Sequence, residues 1–184
     1  LVRIDNERGA YDGTRHLLEE GYRRVACISG PLHTTTGRTR FEGYRRAVEE
    51  AGTIDPDLVR HTDFKTPGGH EAAIDLFRSP SPPDAVIVMN NLMTEGALTA
   101  LRDLGLAMPG DVGVVGFDEL SWAALLDPPL TTVGQPVREL GLAAADLLAR
   151  RCAGDMEDHP RTVTLAPRLV VRGSSTRVRA PHHR

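Results

Sequence analysis

Short β-branched runs alternate with stretches of helical period along this chain. The runs at residues 25–28, 84–88 and 112–117 are too short for helices and too uniformly apolar for half-exposed strands. They are expected as strands buried on both faces of a parallel sheet. The third is fenced in front by Pro109-Gly110-Asp111. A weaker strand is expected at 58–64, and residues 1–4 open the chain on what reads as an interior strand, as if an upstream portion were missing. Between the runs, apolar residues recur at helical spacing. Asp5-Asn6 supply an N-cap for a helix over 7–20, with Ala10, Thr14, Leu17 and Leu18 on one face and Gly21 at its end. The threonines at 34–36 can cap a helix carrying Phe41, Tyr44, Val48 and Ala51, stopped by Gly52. Thr66 or Pro67 opens a helix through Phe77, and Met93, Ala97, Leu101 and Leu104 mark another that closes at Gly105. Pro136 starts a last helix, with Val137, Leu140, Ala144, Leu147 and Leu148 on one face, ending near Gly154. Two closing strands are expected at 162–165 and 168–172, separated by Pro167, and 177–184 form a frayed polar tail.

This alternation predicts an α/β fold with a doubly wound parallel sheet. The strand tips carry Ser29, Phe64, Asn90 and Asp118, which the strand-end rule brings to one crevice. After Asp118 comes a short helical turn over 121–126, then Pro128-Pro129 and an extended Leu-Thr-Thr-Val. A strand, an acid at its tip and a stiff exit describe a ligand cleft beside a hinge.

Composition narrows the classes. Forty per cent apolar and 26% charged residues over 184 are ordinary for a globular protein with a real core. The net charge of −3 gives no basic field for nucleic acid. Of 22 basic residues only Lys65 is a lysine, which reads as codon bias rather than phosphate chemistry. Cys27 and Cys152 match no metal or redox spacing, so a reduced cytoplasmic setting is expected, with no metal and no cofactor. No signal peptide and no apolar run near 18 residues is visible. There is no G-x-G-x-x-G after a strand, no G-x-x-x-x-G-K and no G-x-S-x-G elbow, and His70-Glu71 lacks the second histidine of a zinc helix. With no nucleophile–base pair in view, an enzyme is not expected.

The remaining candidates suit binding without turnover. Asp5, Asn90, Asp118 and Gln135 offer acceptors and amides for hydroxyls or ring nitrogens, Arg38 and Arg40 offer forked donors, and Phe64 offers an apolar platform. Each has a plainer reading. Asp118 can cap the turn at Ser121, Asn90 the helix after it, and Asp5 the first helix. Arg40 can be any arginine on an exposed helix face, and Trp122, the only tryptophan, can be core or interface.

Taken together, the motifs resemble the lac repressor/galactose repressor family. They are Ile4-Asp5-Asn6, Gly21-Tyr22-Arg23-Arg24-Val25, Arg40-x-x-Gly43-Tyr44, Pro83-Asp84-Ala85, Asn90, Gly96-Ala97-Leu98 and Gly105-Leu106-x-x-Pro109. Further along stand Val114-Val115-Gly116-Phe117-Asp118, Pro129-Leu130-Thr131-Thr132-Val133, Glu139-Leu140-Gly141 and Leu169-Val170-Val171-Arg172-Gly173-Ser174. The pattern covers residues 1 to 176 in order; one departure is Asn91, where the family has aspartate.

The resemblance implies the effector-binding core of a transcription regulator with a type I periplasmic-binding-protein-like fold, one lobe complete and a second partial. It implies crossings between lobes near 21–23, 133–136 and 165–168. Residues 22–134 and 167–176 would form the carboxyl-terminal lobe, and 1–21 and 136–165 part of the amino-terminal lobe. Arg40 would clamp a sugar-like or nucleobase-like effector, Asp118 accept its hydroxyls or ring N–H, Phe64 stack on it and Asn90 bond it, with Gln135 and Asp5 at the cleft. A homodimer would form through Met93, Trp122, Leu125 and Leu126. DNA would be reached only through a head domain absent from this chain. The competing expectation is a sugar receptor for transport or chemotaxis, which shares the fold.

Overall fold

The computed structural model describes residues 1–154 and 162–177. The expected tail thus lies almost wholly outside the described residues. Helices and strands alternate: β1 (Val2–Ile4), α1 (Asn6–Glu19), β2 (Val25–Ser29), α2 (Thr35–Ala51), β3 (Val59–His61), α3 (Thr66–Phe77), β4 (Ala85–Val88), α4 (Asn91–Leu104), β5 (Gly113–Phe117), β6 (Thr131–Gly134), α5 (Val137–Cys152), β7 (Val163–Leu165) and β8 (Arg168–Val170). Six strands form one sheet in the order β3-β2-β4-β5-β6-β8, parallel except for the antiparallel β6–β8 pair. Every residue of β2, β4, β5 and β6 is buried, which is why β4 and β5 carry no polar side chain and why the two threonines of β6 have their hydroxyls hydrogen-bonded, Thr131 to the Arg172 carbonyl and Thr132 to Glu119.

Helices α1 and α2 pack on each other, and so do α3 and α4; both pairs contact the large sheet, as a doubly wound fold requires. The α3–α4 approach depends on Gly96, where a Cβ would stand 2.1 Å from the Thr66 carbonyl oxygen. The helix starts follow the residues expected to set them. The Asp5 carboxylate accepts from the Arg8 N–H (3.0 Å), the Thr34 hydroxyl from Gly37 N–H (3.0 Å) and the Asn90 side-chain oxygen from Met93 N–H (2.8 Å).

Two expectations change. The strand expected at 58–64 ends at His61, opposite Ser29 at the end of its partner β2, and the backbone then turns into a left-handed conformation at Phe64 (φ 65°). More consequentially, α1 does not group with β1. It packs on α2 and on β5, β6 and β8, with Leu17 fully buried in the main core. The change of packing therefore falls at Asp5–Asn6 rather than near 21–23.

Strands β1 and β7 form a separate two-stranded parallel sheet, with Val2 opposite Val163, and Asp5 N–H extends it by bonding the Leu165 carbonyl (2.8 Å). Helix α5 rests on this small sheet and buries no residue fully. Its inward stripe is Leu140, Ala143 and Leu147, whereas Val137, Ala144 and Leu148, expected on the same face, are exposed.

Candidate functional site

The large sheet reverses direction between β2 and β4: the chain goes outward from β2 to β3, then returns to place β4 on the other side of β2. A doubly wound sheet opens its ligand crevice at such a switch, outside the carboxyl ends of the strands. Arg40 reaches this position from α2. It is only 4% exposed, and its Nη1 donates to the carbonyl of Met89, the residue after β4. Its Nε donates to the Asn6 side-chain oxygen at the start of α1 (2.7 Å), and its guanidinium lies 3.6 Å from the centroid of the Phe117 ring. Burial pulls the Arg40 pKa down to about 10, against the opposing pull of Asp118, so the group stays charged near neutrality. Two hydrogen bonds and a cation–π contact offset the removal of that charge from water.

Asp118 follows β5 directly. Its N–H bonds the Val133 carbonyl (2.9 Å), one carboxylate oxygen accepts from the Gln135 amide, and the other from the Asn91 N–H (3.3 Å). Asn90 caps α4, as its plainer reading has it, and also donates its amide to the Phe64 carbonyl (2.9 Å). The far end of the Phe64 ring lies against Gly30, just past the tip of β2, where a Cβ would meet it at 1.9 Å. Among the described residues only Phe64 (φ 65°) and Asp118 (φ 81°) are non-glycine residues in the left-handed region. Such strain costs of order 1–3 kcal/mol each and clusters where side chains are aimed for a purpose. Both strained positions belong to this one crevice.

Four of the seven candidates are therefore gathered at the large sheet's edge, and Gln135 meets them from the segment leaving β6. Asp5 stands beside them as a helix cap, one residue before Asn6. Arg38 does not join. It is exposed and lies 3.9 Å from Glu42 one turn along, because residues two apart on a helix face different sides. Nothing in the sequence marks Asn6, the Met89 carbonyl and Phe117 as site groups. Asn6 falls within the Ile4-Asp5-Asn6 motif, where helix capping accounts for it; the other two act through a backbone oxygen and a ring face, which residue type does not announce.

The residues expected at a dimer contact divide. Met93 is fully buried and its sulfur accepts from the Thr62 hydroxyl (2.9 Å), so it belongs to the core rather than to an outward face. Trp122 and Leu126 line a surface groove of about 650 Å³ with Leu98, Leu101, Leu106 and Met108, and neighbouring Leu125 is 83% exposed. No helix is long and apolar enough to cross a membrane, and no group of three or more His, Cys, Asp or Glu is placed to hold a metal, both among the described residues.

A doubly wound sheet with a strained polar cluster at its switch point places the chain among the α/β domains whose crevices open at that point. Residues 14–175 match the periplasmic binding protein-like domain family, and the chain belongs to it, with relatives among lac repressor-type regulators. It is 39% identical over 176 residues to the ribose operon repressor of Escherichia coli strain K12, a match covering 95% of this chain and 53% of that protein. Among solved structures, the transcriptional regulator CelR in complex with cellobiose is similar with a TM-score of 0.87 and 39% identity, over 94% of this chain and 53% of that one. A regulatory protein of the LacI family from Chloroflexus aggregans gives a TM-score of 0.87 at 28% identity, over 94% and 62%. The chain spans about half the length of the relatives it matches.

Proposed function

We propose that this chain is the effector-sensing core of a cytoplasmic DNA-binding transcriptional regulator, a repressor that responds to a neutral, hydroxyl-rich small molecule. The observation that carries the reading is the Arg40–Phe117–Asp118 cluster at the switch point. With Arg38 turned away to Glu42, the crevice holds one guanidinium and one carboxylate, and Asn90 and Gln135 add amides. That balance disfavours a phosphate or carboxylate ligand and suits sugar hydroxyls or the donor–acceptor edge of a nucleobase. The printed names of relatives, a ribose operon repressor and a regulator bound to cellobiose, support the sugar class. No turnover is part of the reading.

Two lobes follow from the two sheets. The large sheet with α1 to α4 forms one, and β1, β7 and α5 form part of the other. The chain passes between them at Asp5–Asn6, at Gln135–Pro136 and at Ala166–Pro167. Effector held between the lobes favours one arrangement, and a coupling of about 1–3 kcal/mol transmits that preference to a DNA-binding head outside these residues. Two copies associate through the groove lined by Trp122 and Leu126.

Thermal-shift and calorimetric titration with D-ribose, cellobiose, ribose 5-phosphate and adenosine tests this reading. A ligand at 100 times its Kd adds about 2.7 kcal/mol of stability. A neutral sugar or nucleoside should bind, and Asp118→Ala and Arg40→Ala should each abolish the shift. Preferential binding of the phosphate, or a shift indifferent to both substitutions, would count against it.

A further inference from the structure

The residue after Asp118 is tied down more heavily than its exposed position requires. The Glu119 carboxylate accepts from both terminal nitrogens of Arg172, at 2.5 and 3.3 Å, and from the Thr132 hydroxyl. Arg172 Nη1 also donates to the Leu130 carbonyl (2.8 Å) and lies 3.2 Å from the Thr132 hydroxyl. The far end of this arm is fixed as well. Arg172 N–H donates to the Thr131 hydroxyl (2.8 Å), which donates back to the Arg172 carbonyl (2.9 Å). Burial raises the Glu119 pKa, but the hydrogen bonds from Arg172 and Thr132 outweigh it and hold the carboxyl below its ordinary value.

The partners are informative. Thr132 belongs to β6, the strand that runs out into Gln135, and Arg172 follows β8, the strand entered from Ala166–Pro167. The antiparallel β6–β8 pair thus joins two of the three passages between the sheets, with Gly134 opposite Arg168. A hollow of about 300 Å³ at that place is lined by Glu119, Gln135, Pro136, Ala166 and Arg168 among others. One residue earlier, Asp118 is held in a left-handed backbone conformation that persists only if its surroundings enforce it. Asp118 itself contacts this region through Gln135 and the Val133 carbonyl.

We propose that Glu119 and Arg172 are a positioning pair that aims the Asp118 carboxylate into the crevice and couples it to the β6–β8 crossing strands. The inference rests on the reading of Asp118 as a ligand contact. Glu119 acts through its neighbour: it fixes the backbone immediately after the strained residue. Movement of the crossing strands therefore moves the carboxylate, and a ligand gripping the carboxylate biases the strands in return.

The test compares Glu119→Ala, Arg172→Lys and Asp118→Ala in the full chain, using cellobiose and D-ribose as titrants and amide hydrogen exchange without ligand. Glu119→Ala should weaken sugar binding about tenfold, a coupling within the usual range for such sites. It should speed exchange at 118–122 while the amides of β4 and β5 keep their protection. Arg172→Lys, which keeps a cation but loses the fork, should give a smaller change of both kinds. A merely structural role would lower melting temperature and sheet protection and leave the Kd of the folded protein alone. Unchanged Kd and unchanged exchange in Glu119→Ala overturn the pair. If Asp118→Ala also leaves sugar affinity intact, the effector-site reading fails separately; if neither sugar binds, the exchange at 118–122 decides the pair by itself.

Discussion

Arg40 carries a full charge and is 4% exposed, whereas Val137, Leu142 and Leu148 of α5 are apolar and are 74, 56 and 65% exposed. Polarity alone would order them the other way. The difference lies in what the topology gathers around each. Arg40 sits where α1, α2, β4 and β5 converge, and each supplies something: the Asn6 oxygen, the helix that carries it, the Met89 carbonyl and the Phe117 ring. Among the described residues, helix α5 rests mainly on the two-stranded β1–β7 sheet. A residue is buried when enough elements meet over it, and its own chemistry then decides what those elements must offer.

The sharpest way to break that contrast is to remove the guanidinium. Arg40→Ala leaves the Asn6 oxygen and the Met89 carbonyl without their donor and opens a void beside Phe117. Losing the buried charge returns part of the cost. The net should still be a destabilisation of about 2–4 kcal/mol, or a melting temperature lower by roughly 10 °C for a chain of this size. Leu148→Ser on α5 should stay within about 0.5 kcal/mol. Urea unfolding of the two variants checks both. Equal losses would mean that α5 is as well packed as the crevice, and the contrast would fall.

The same contrast sharpens over which exposed apolar surface would join two copies in the proposed assembly. The groove beside α4 is concave, carries an aromatic and spans separate segments of chain; α5 presents isolated side chains on one helix. Trp122→Glu with Leu126→Glu should convert dimers to monomers at micromolar concentration, since a buried aromatic anchor typically carries about 2 kcal/mol or more. Leu148→Glu should not. Sedimentation velocity distinguishes them, and a dimer that survives the groove substitutions removes the groove from the assembly.

These contrasts also mark what the sequence discloses. Strands β2, β4 and β5 are legible because burial on both faces leaves no room for polar residues. The crevice is legible because strand tips are where polar residues interrupt those runs. Allegiance between elements is much less so. The stripe of Ala10, Thr14 and Leu17 says that α1 packs on something, but not that it packs on the large sheet instead of β1. Met93 lies on an apolar stripe whose period is the same for core and interface, and only the structure shows it facing α3. Arg38 and Arg40 differ by two positions, which on a helix is the difference between solvent and core. Glu119 and Arg172 are 53 residues apart and meet only because β6 and β8 pair.

The smallest effect concerns how α1 is fastened to the far end of the chain. The His16 ring nitrogen lies 2.7 Å from the Ser175 hydroxyl, which in turn lies 2.7 Å from the Thr131 hydroxyl, and both hydroxyl residues are fully buried. Burial holds the His16 pKa below its ordinary 6.5, against the opposing influence of Glu20 and Glu19 at the end of the same helix. The unfolded chain therefore takes up this proton at a higher pH than the folded one. The contribution to stability is complete above pH 6.5 and is lost as the pH falls through the folded-state pKa, below which it levels off. His16→Gln has no such proton to take up. Its urea midpoint should fall less than that of the unsubstituted chain between pH 7.5 and pH 5.5, the window that brackets the ordinary histidine value. Parallel losses in the two proteins would show that the slope comes from other groups. The tie between α1 and Ser175 would then be structural without being sensitive to pH, and its fastening would resemble the Thr131–Arg172 contacts, which contain no titrating partner in that window.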